Sequence, residues 1–235
     1  MSKKYQELKK TNASQILSII NLLIIQIENT YDEDYNLFDA KVERDVTDLK
    51  LMLKKINEGI IDLKVNVPWE FEDYFAEIDG KKISIKKDPT IKDYTSIKDV
   101  YNFIPYIPFK TELDLIKSFA KKTSLTNIEF LFLYDNKGYL SILEGELLKV
   151  RIPFIRVIFN MHTHPEGHCG FSVPDINSGV DLLSEGGLAT SVITESCAIA
   201  MYRQGLITEN DYIKIKSKKY ENVIFDSIKF TKIFY

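Results

Sequence analysis

The sequence predicts an α/β fold in which a mixed sheet is flanked by helices, and three observations carry that prediction. Residues 111–202 alternate between helical and extended apolar patterns. The first sixty residues hold two further helical patterns. An Asp-Gly pair separates two alternating stretches between residues 74 and 85 and marks a β-hairpin. At 235 residues and 45% apolar content, the chain can bury one sizeable core, or one domain with an appendage.

The first pattern covers residues 4–30, where Leu17, Ile20, Ile24 and Ile27 repeat at helical spacing. The run Ile16 to Ile27 is too short for a span of about 20 apolar residues, and Ser18, Asn21 and Gln26 interrupt it. With no small-residue cleavage site after it, the run reads as a buried helix rather than a leader or anchor. After the polar break 31–36, Val42, Val46, Leu49, Leu53 and Ile56 suggest a second helix over 37–58, with Gly59 where a C-terminal cap belongs. Two helices with a short polar connection imply an antiparallel helical hairpin over residues 1–65, suited to partner docking or to a homodimer.

Residues 66–107 read as a small β extension. Tyr74–Ile78, Asp79-Gly80 and Lys82–Ile85 form its hairpin, and an irregular stretch follows Asp88-Pro89. The main domain is expected over 108–235. It starts with a helix over Thr111–Lys122, capped by Thr111. A strand over Ile128–Tyr134 follows, interrupted only by Glu129, and then a turn at 135–138. Strands follow at Tyr139–Leu143, Leu147–Ile152 and Phe154–Met161. A helix is expected over Asp175–Leu183, then strands at Ser191–Thr194 and Ala198–Tyr202. Residues 211–216 and 222–230 read as two more strands.

Composition narrows the function classes. A net charge of -3 shows no basic excess of the kind that marks nucleic-acid binding, so neither a nucleic-acid nor a membrane partner is expected. Two cysteines, Cys169 and Cys197, give no disulfide framework, although one bridge is possible on count. The simpler setting is reducing and cytoplasmic, with Cys169 a bystander in a loop and Cys197 in the core.

The three histidines of the chain, His162, His164 and His168, fall within seven residues. His162 and His164 stand at i and i+2 on an extended segment, so both rings project to one side and can reach one cation. After Pro165 and six more residues come Ser172, Val173, Pro174 and Asp175. Asp175 is the natural third ligand, at the first turn of a helix that Pro174 opens. Two histidines and a carboxylate are a common set for catalytic zinc and leave a position for water. Ser172-x-x-Asp175 is also a capping-box pattern, and the two roles are compatible.

The string His-x-His-Pro-x6-Ser-x-x-Asp resembles the JAMM motif of JAB/MPN metalloproteases, a family that includes deubiquitinases and removers of ubiquitin-like modifiers. The resemblance covers about residues 108–205. It implies a JAB/MPN-like sheet in which His162, His164 and Asp175 hold Zn2+ and Ser172 supports the oxyanion. It also implies a catalytic glutamate at the start of a strand after the first helix, which here is Glu129. A lone carboxylate in an apolar strand points the same way, because it is costly unless its end of the strand opens into a site. Glu112, Glu144, Glu146 and Glu166 are its rivals.

The expected activity is a zinc-dependent isopeptidase or peptidase acting on a protein or peptide, such as a ubiquitin-like modifier conjugate. Two other readings stay open: a non-catalytic scaffold of the MPN type, and a RadC-like protein associated with DNA repair.

Overall fold

The computed structural model describes residues 6–145, 156–165, 167, 169–217 and 225–235. The chain opens with β1 (Gln6–Lys9) and helix α1 (Asn12–Thr30). Thr11 and Ser14 cap α1 reciprocally: Ser14 N–H donates to Thr11 Oγ1 at 3.1 Å and Thr11 N–H donates to Ser14 Oγ at 2.9 Å. A 3-10 turn (Leu37–Asp39), β2 (Lys41–Glu43) and a second 3-10 turn (Arg44–Thr47) lead to α2 (Leu49–Glu58). Then come β3 (Ile60–Asn66), β4 (Tyr74–Ile78), β5 (Lys81–Lys87) and β6 (Tyr94–Ser96).

The helices α3 (Ile97–Phe103), α4 (Ile107–Thr111) and α5 (Leu113–Thr126) run on to β7 (Phe130–Asp135) and β8 (Leu140–Glu144). The chain continues through β9 (Val157–Thr163), α6 (Val173–Ser184), β10 (Ala189–Ile193) and β11 (Cys197–Arg203). It ends with α7 (Glu209–Lys216) and β12 (Ile228–Phe234).

These elements make a mixed α/β fold with two sheets. The larger has the order β1-β8-β7-β9-β10-β11-β12, so β9 is its central strand; the smaller has the order β4-β5-β3-β2-β6. Strand β9 runs antiparallel to β7 and parallel to β10. The expected hairpin is present. Ile78 pairs with Lys81, and the Asp79-Gly80 turn has φ of 54° and 74°, the left-handed pair that a two-residue hairpin turn requires. Gly59 caps α2 at φ 75°, as the pattern suggested.

One buried cluster joins both sheets through α1, whose Ile16, Leu17, Ile20, Leu23, Ile24 and Ile27 are fully buried. Burying such side chains stabilises the fold by roughly 1.5–3 kcal/mol each. Among the described residues, no helix is long and apolar enough to cross a membrane.

Several expectations need correction. The helical hairpin is not continuous. Residues 6–9 form β1 rather than helix, and the second helix begins at Leu49, where Asp48 Oδ1 accepts from Lys50 N–H at 2.9 Å and Leu51 N–H at 3.2 Å. Val42 and Val46, which match a helical period, instead bury one face of β2 and of a 3-10 turn. The expected boundaries at 65/66 and 107/108 fall inside β3 and α4, and residues 6–9 pair with β8. Residues 209–216 are helical, not a strand. Thr208 caps them, Glu209 and Asp211 sit in the first turn, and Lys214 and Lys216 sit in the last, which suits the helix dipole. The alternation of Ile213 and Ile215 with lysines imitates a strand. The expected strand at 147–152 lies outside the described residues.

Thr111 ends α4 rather than capping α5, whose N-cap is Glu112. The Glu112 carboxylate accepts from Ala13 N–H at 3.0 Å and from the Tyr134 hydroxyl at 3.1 Å, and so ties the start of α1 to β7. Burial pushes its carboxyl above the usual range, against the lowering hydrogen bonds from Thr11, Ala13 and Tyr134. A raised folded-state pKa means that the folded chain holds the proton more tightly than the unfolded chain. The contribution is therefore greatest below the unfolded value of about 4.3 and is lost as pH rises through the folded value. Glu112→Gln removes this titration. Urea midpoints for the variant, relative to the parent, are expected to rise between about pH 4 and neutrality. A constant difference across that window would show that Glu112 is not the group responsible.

Candidate metal centre

The site is set by strand register. His162 on β9 lies opposite Leu131 of β7 on one side and Val192 of β10 on the other. Glu129 immediately precedes β7 and His164 immediately follows β9, so the two stand at the same end of this antiparallel pair. His164 lies just past the end of β9, and its backbone N–H donates to Ile193 O at 2.8 Å, which keeps the chain extended there. Extended backbone puts both rings on one face. Their Nε2 atoms stand 3.0 Å apart.

The third group arrives on α6. Ser172 is its N-cap: Asp175 N–H donates to Ser172 Oγ at 3.3 Å, and Ser172 N–H donates to Asp175 Oδ2 at 2.7 Å. This capping box locks the Asp175 side chain. Its Oδ1 lies 3.2 Å from His162 Nε2 and its Oδ2 lies 3.6 Å from His164 Nε2. Burial pushes the Asp175 carboxyl up. The hydrogen bond and charge of His162, with the two bonds from Ser172, outweigh that effect and hold it well below the usual carboxylate range. Glu129 Oε1 lies 3.9 Å from His164 Nε2, and the Glu129 side chain is half exposed.

The three donor groups fit a small divalent ion. Bonds of about 2.0–2.2 Å in tetrahedral geometry place donor atoms about 3.3–3.6 Å apart. The two ring nitrogens stand 3.0 Å apart and the Asp175 carboxylate reaches each ring through a different oxygen, at 3.2 and 3.6 Å; taken one ligand atom per residue, the donors lie within 4.8 Å of one another, close enough to close on one ion. Among the described residues, His162, His164 and Asp175 are the group of histidine, cysteine or acidic side chains that could hold a metal ion.

The seating of α6 depends on Gly179, one turn after Asp175. A Cβ there would stand 2.4 Å from Met201 Cε and 2.7 Å from Thr190 Cγ2, so a glycine lets the helix lie close against β10 and β11. Gly179→Leu is expected to cost about 1–3 kcal/mol in urea unfolding and to lift the Asp175 end of α6 away from the histidines. An unchanged midpoint would show that the helix is not packed this closely.

The structure brings the side chains of His162, His164, Asp175, Ser172 and Glu129 together at one end of β9. The rivals of Glu129 fare differently. Glu112 is occupied at α1, Glu144 lies opposite Phe130 in the β7–β8 register, and Glu146 and Glu166 are outside the described residues, as is His168. The cysteines depart from expectation. Cys169 and Cys197 form a disulfide that joins the loop between the two halves of the motif to the start of β11. Sequence reasoning also passed over Thr163, although alternation alone directs it away from the two histidines and into the core. No family model, no curated protein and no solved structure matches the chain.

Proposed function

We propose that the chain is a zinc-dependent metallopeptidase of the JAMM type that cleaves an amide or isopeptide bond. Its substrate in this reading is the tail of a ubiquitin-like or other small protein modifier. The observation that carries the reading is the convergence of His162, His164 and Asp175 on one point, with the Glu129 carboxylate alongside. We also read β7, β9 and α6 as the core of a JAB/MPN-type fold.

In that reading His162, His164 and Asp175 hold the ion. Zinc bound there would lower the pKa of a coordinated water to about 7. Glu129 takes a proton from the attacking water and passes it to the leaving amine. Ser172, whose Oγ accepts from Asp175 N–H, turns its own hydroxyl proton toward the oxyanion of the scissile carbonyl. Asp175, its carboxylate held by the Ser172 N–H, would serve as the anionic ligand.

Purified protein is expected to carry about one zinc per chain by elemental analysis. His164→Ala is expected to lose it while keeping a folded circular-dichroism spectrum. Chelation should abolish cleavage of a modifier conjugate joined through an isopeptide bond. A folded parent protein that takes up no zinc would sink the enzymatic reading in favour of a scaffold.

A further inference from the structure

The residue between the two histidines, Thr163, is fully buried, and so is Thr123 on α5. Their hydroxyl oxygens lie 2.5 Å apart. Thr123 Oγ1 donates to Ile128 O at 2.9 Å, and Phe130 N–H donates to Thr163 Oγ1 at 2.8 Å. The direction of every bond follows from the groups present. The Ile128 carbonyl can only accept, so the Thr123 proton goes to it. The bond between the hydroxyls is then supplied by the Thr163 proton. The result is a chain from Phe130 N–H to Thr163, to Thr123, and back to the Ile128 carbonyl.

That chain leaves the backbone at residue 130 and returns at residue 128, so it brackets Glu129. Ile128 O belongs to the peptide group before Glu129 and Phe130 N–H to the one after it. The second group is held again where Gly145 N–H donates to Glu129 O at 2.8 Å. Both peptide planes of Glu129 are therefore fixed, one of them by the side chain that sits between the metal-binding histidines. The Glu129 side chain is half exposed, and the clamp fixes the backbone from which it projects.

We propose that Thr163 and Thr123 are positioning residues that lock Glu129 into one frame with His162 and His164. The catalytic part of this inference rests on the metallopeptidase reading, in which Glu129 is the base. The clamp itself does not.

The test compares Thr163→Val, Thr163→Ser and the parent as full-length, zinc-loaded protein. The valine variant is expected to retain zinc and KM but lose kcat by about 10- to 100-fold, the scale of a misplacement near 1 Å. Serine should restore most of it. In a Glu129→Gln background, Thr163→Val should change kcat no further, whereas general loosening would lower it again. Independently of activity, exchange of the Phe130 amide should quicken at least tenfold in Thr163→Val relative to that of Phe132. Unchanged kcat in a folded, zinc-loaded valine variant would overturn the positioning role, and unchanged Phe130 exchange would overturn the clamp. If the parent cleaves no conjugate, the metallopeptidase reading fails and the exchange comparison still decides the clamp. Should Thr163→Val not fold, Thr123→Val removes the donor to Ile128 O and answers the same question.

Discussion

Glu129→Gln is expected to leave zinc bound and to lower kcat by about 10²- to 10⁴-fold, the range for loss of a positioned general base. Glutamine keeps the size of the side chain and its hydrogen-bonding capacity but cannot take up a proton. The geometry supports retention of the metal: at 3.9 Å from His164 Nε2, Glu129 Oε1 is further away than either oxygen of Asp175 from its nearer histidine. A gap above about 3.5 Å is the separation at which a bridging water belongs. Elemental analysis and steady-state kinetics on the same preparation check the result. Full activity in the zinc-loaded variant would remove Glu129 from the chemistry. Glu112 could not inherit the role, because its two oxygens already accept from Ala13 and Tyr134.

Much of the site was legible because its parts are local. His162, His164, Ser172 and Asp175 lie within fourteen residues, and each is placed by a short-range rule: alternation along a strand, then a capping box at a helix start. Glu129 needed more, because its approach to His164 depends on the β7–β9 register across thirty-five residues of chain. The fold was legible where pattern and turn chemistry agree, as at Asp79-Gly80 and Gly59.

It was misread where one pattern serves two structures. Val42 and Val46 keep helical spacing across a strand that pairs with β3 and β6 and the 3-10 turn that follows it, and Ile213 and Ile215 alternate within a capped helix. No local signal announces that residues 6–9 pair with residues 140–143, or that Cys169 reaches Cys197, since both depend on where distant segments meet.

The largest expected effect on stability lies away from the candidate metal centre, at a buried ion pair between α1 and β11. The side chains of Arg203 and Glu28 are 2% and 7% exposed. Arg203 Nη1 and the Tyr101 hydroxyl both donate to Glu28 Oε1. Arg203 Nε donates to Gly187 O at 2.8 Å, and Nη1 donates to Gly205 O at 3.3 Å. Burial, with the Glu28 charge added, holds the Tyr101 hydroxyl well above its ordinary pKa, so it stays a donor.

Removing one ion leaves the other buried without its charge partner, at a cost of about 3–5 kcal/mol. Glu28→Met and Arg203→Met are each expected to fall in that range in urea unfolding. The double variant removes both charges and is expected to lose less than either single change, because burying two ions itself costs desolvation. The arginine substitution has a second effect. Gly187 follows the turn after α6, and Gly187 N–H donates to Leu182 O at 2.9 Å, so Arg203 also braces the far end of the helix that presents Asp175. Arg203→Met should therefore weaken zinc binding more than Glu28→Met at matched stability. Additive single changes would mean that the two side chains act separately, and equal zinc affinities would confine Arg203 to a role in stability.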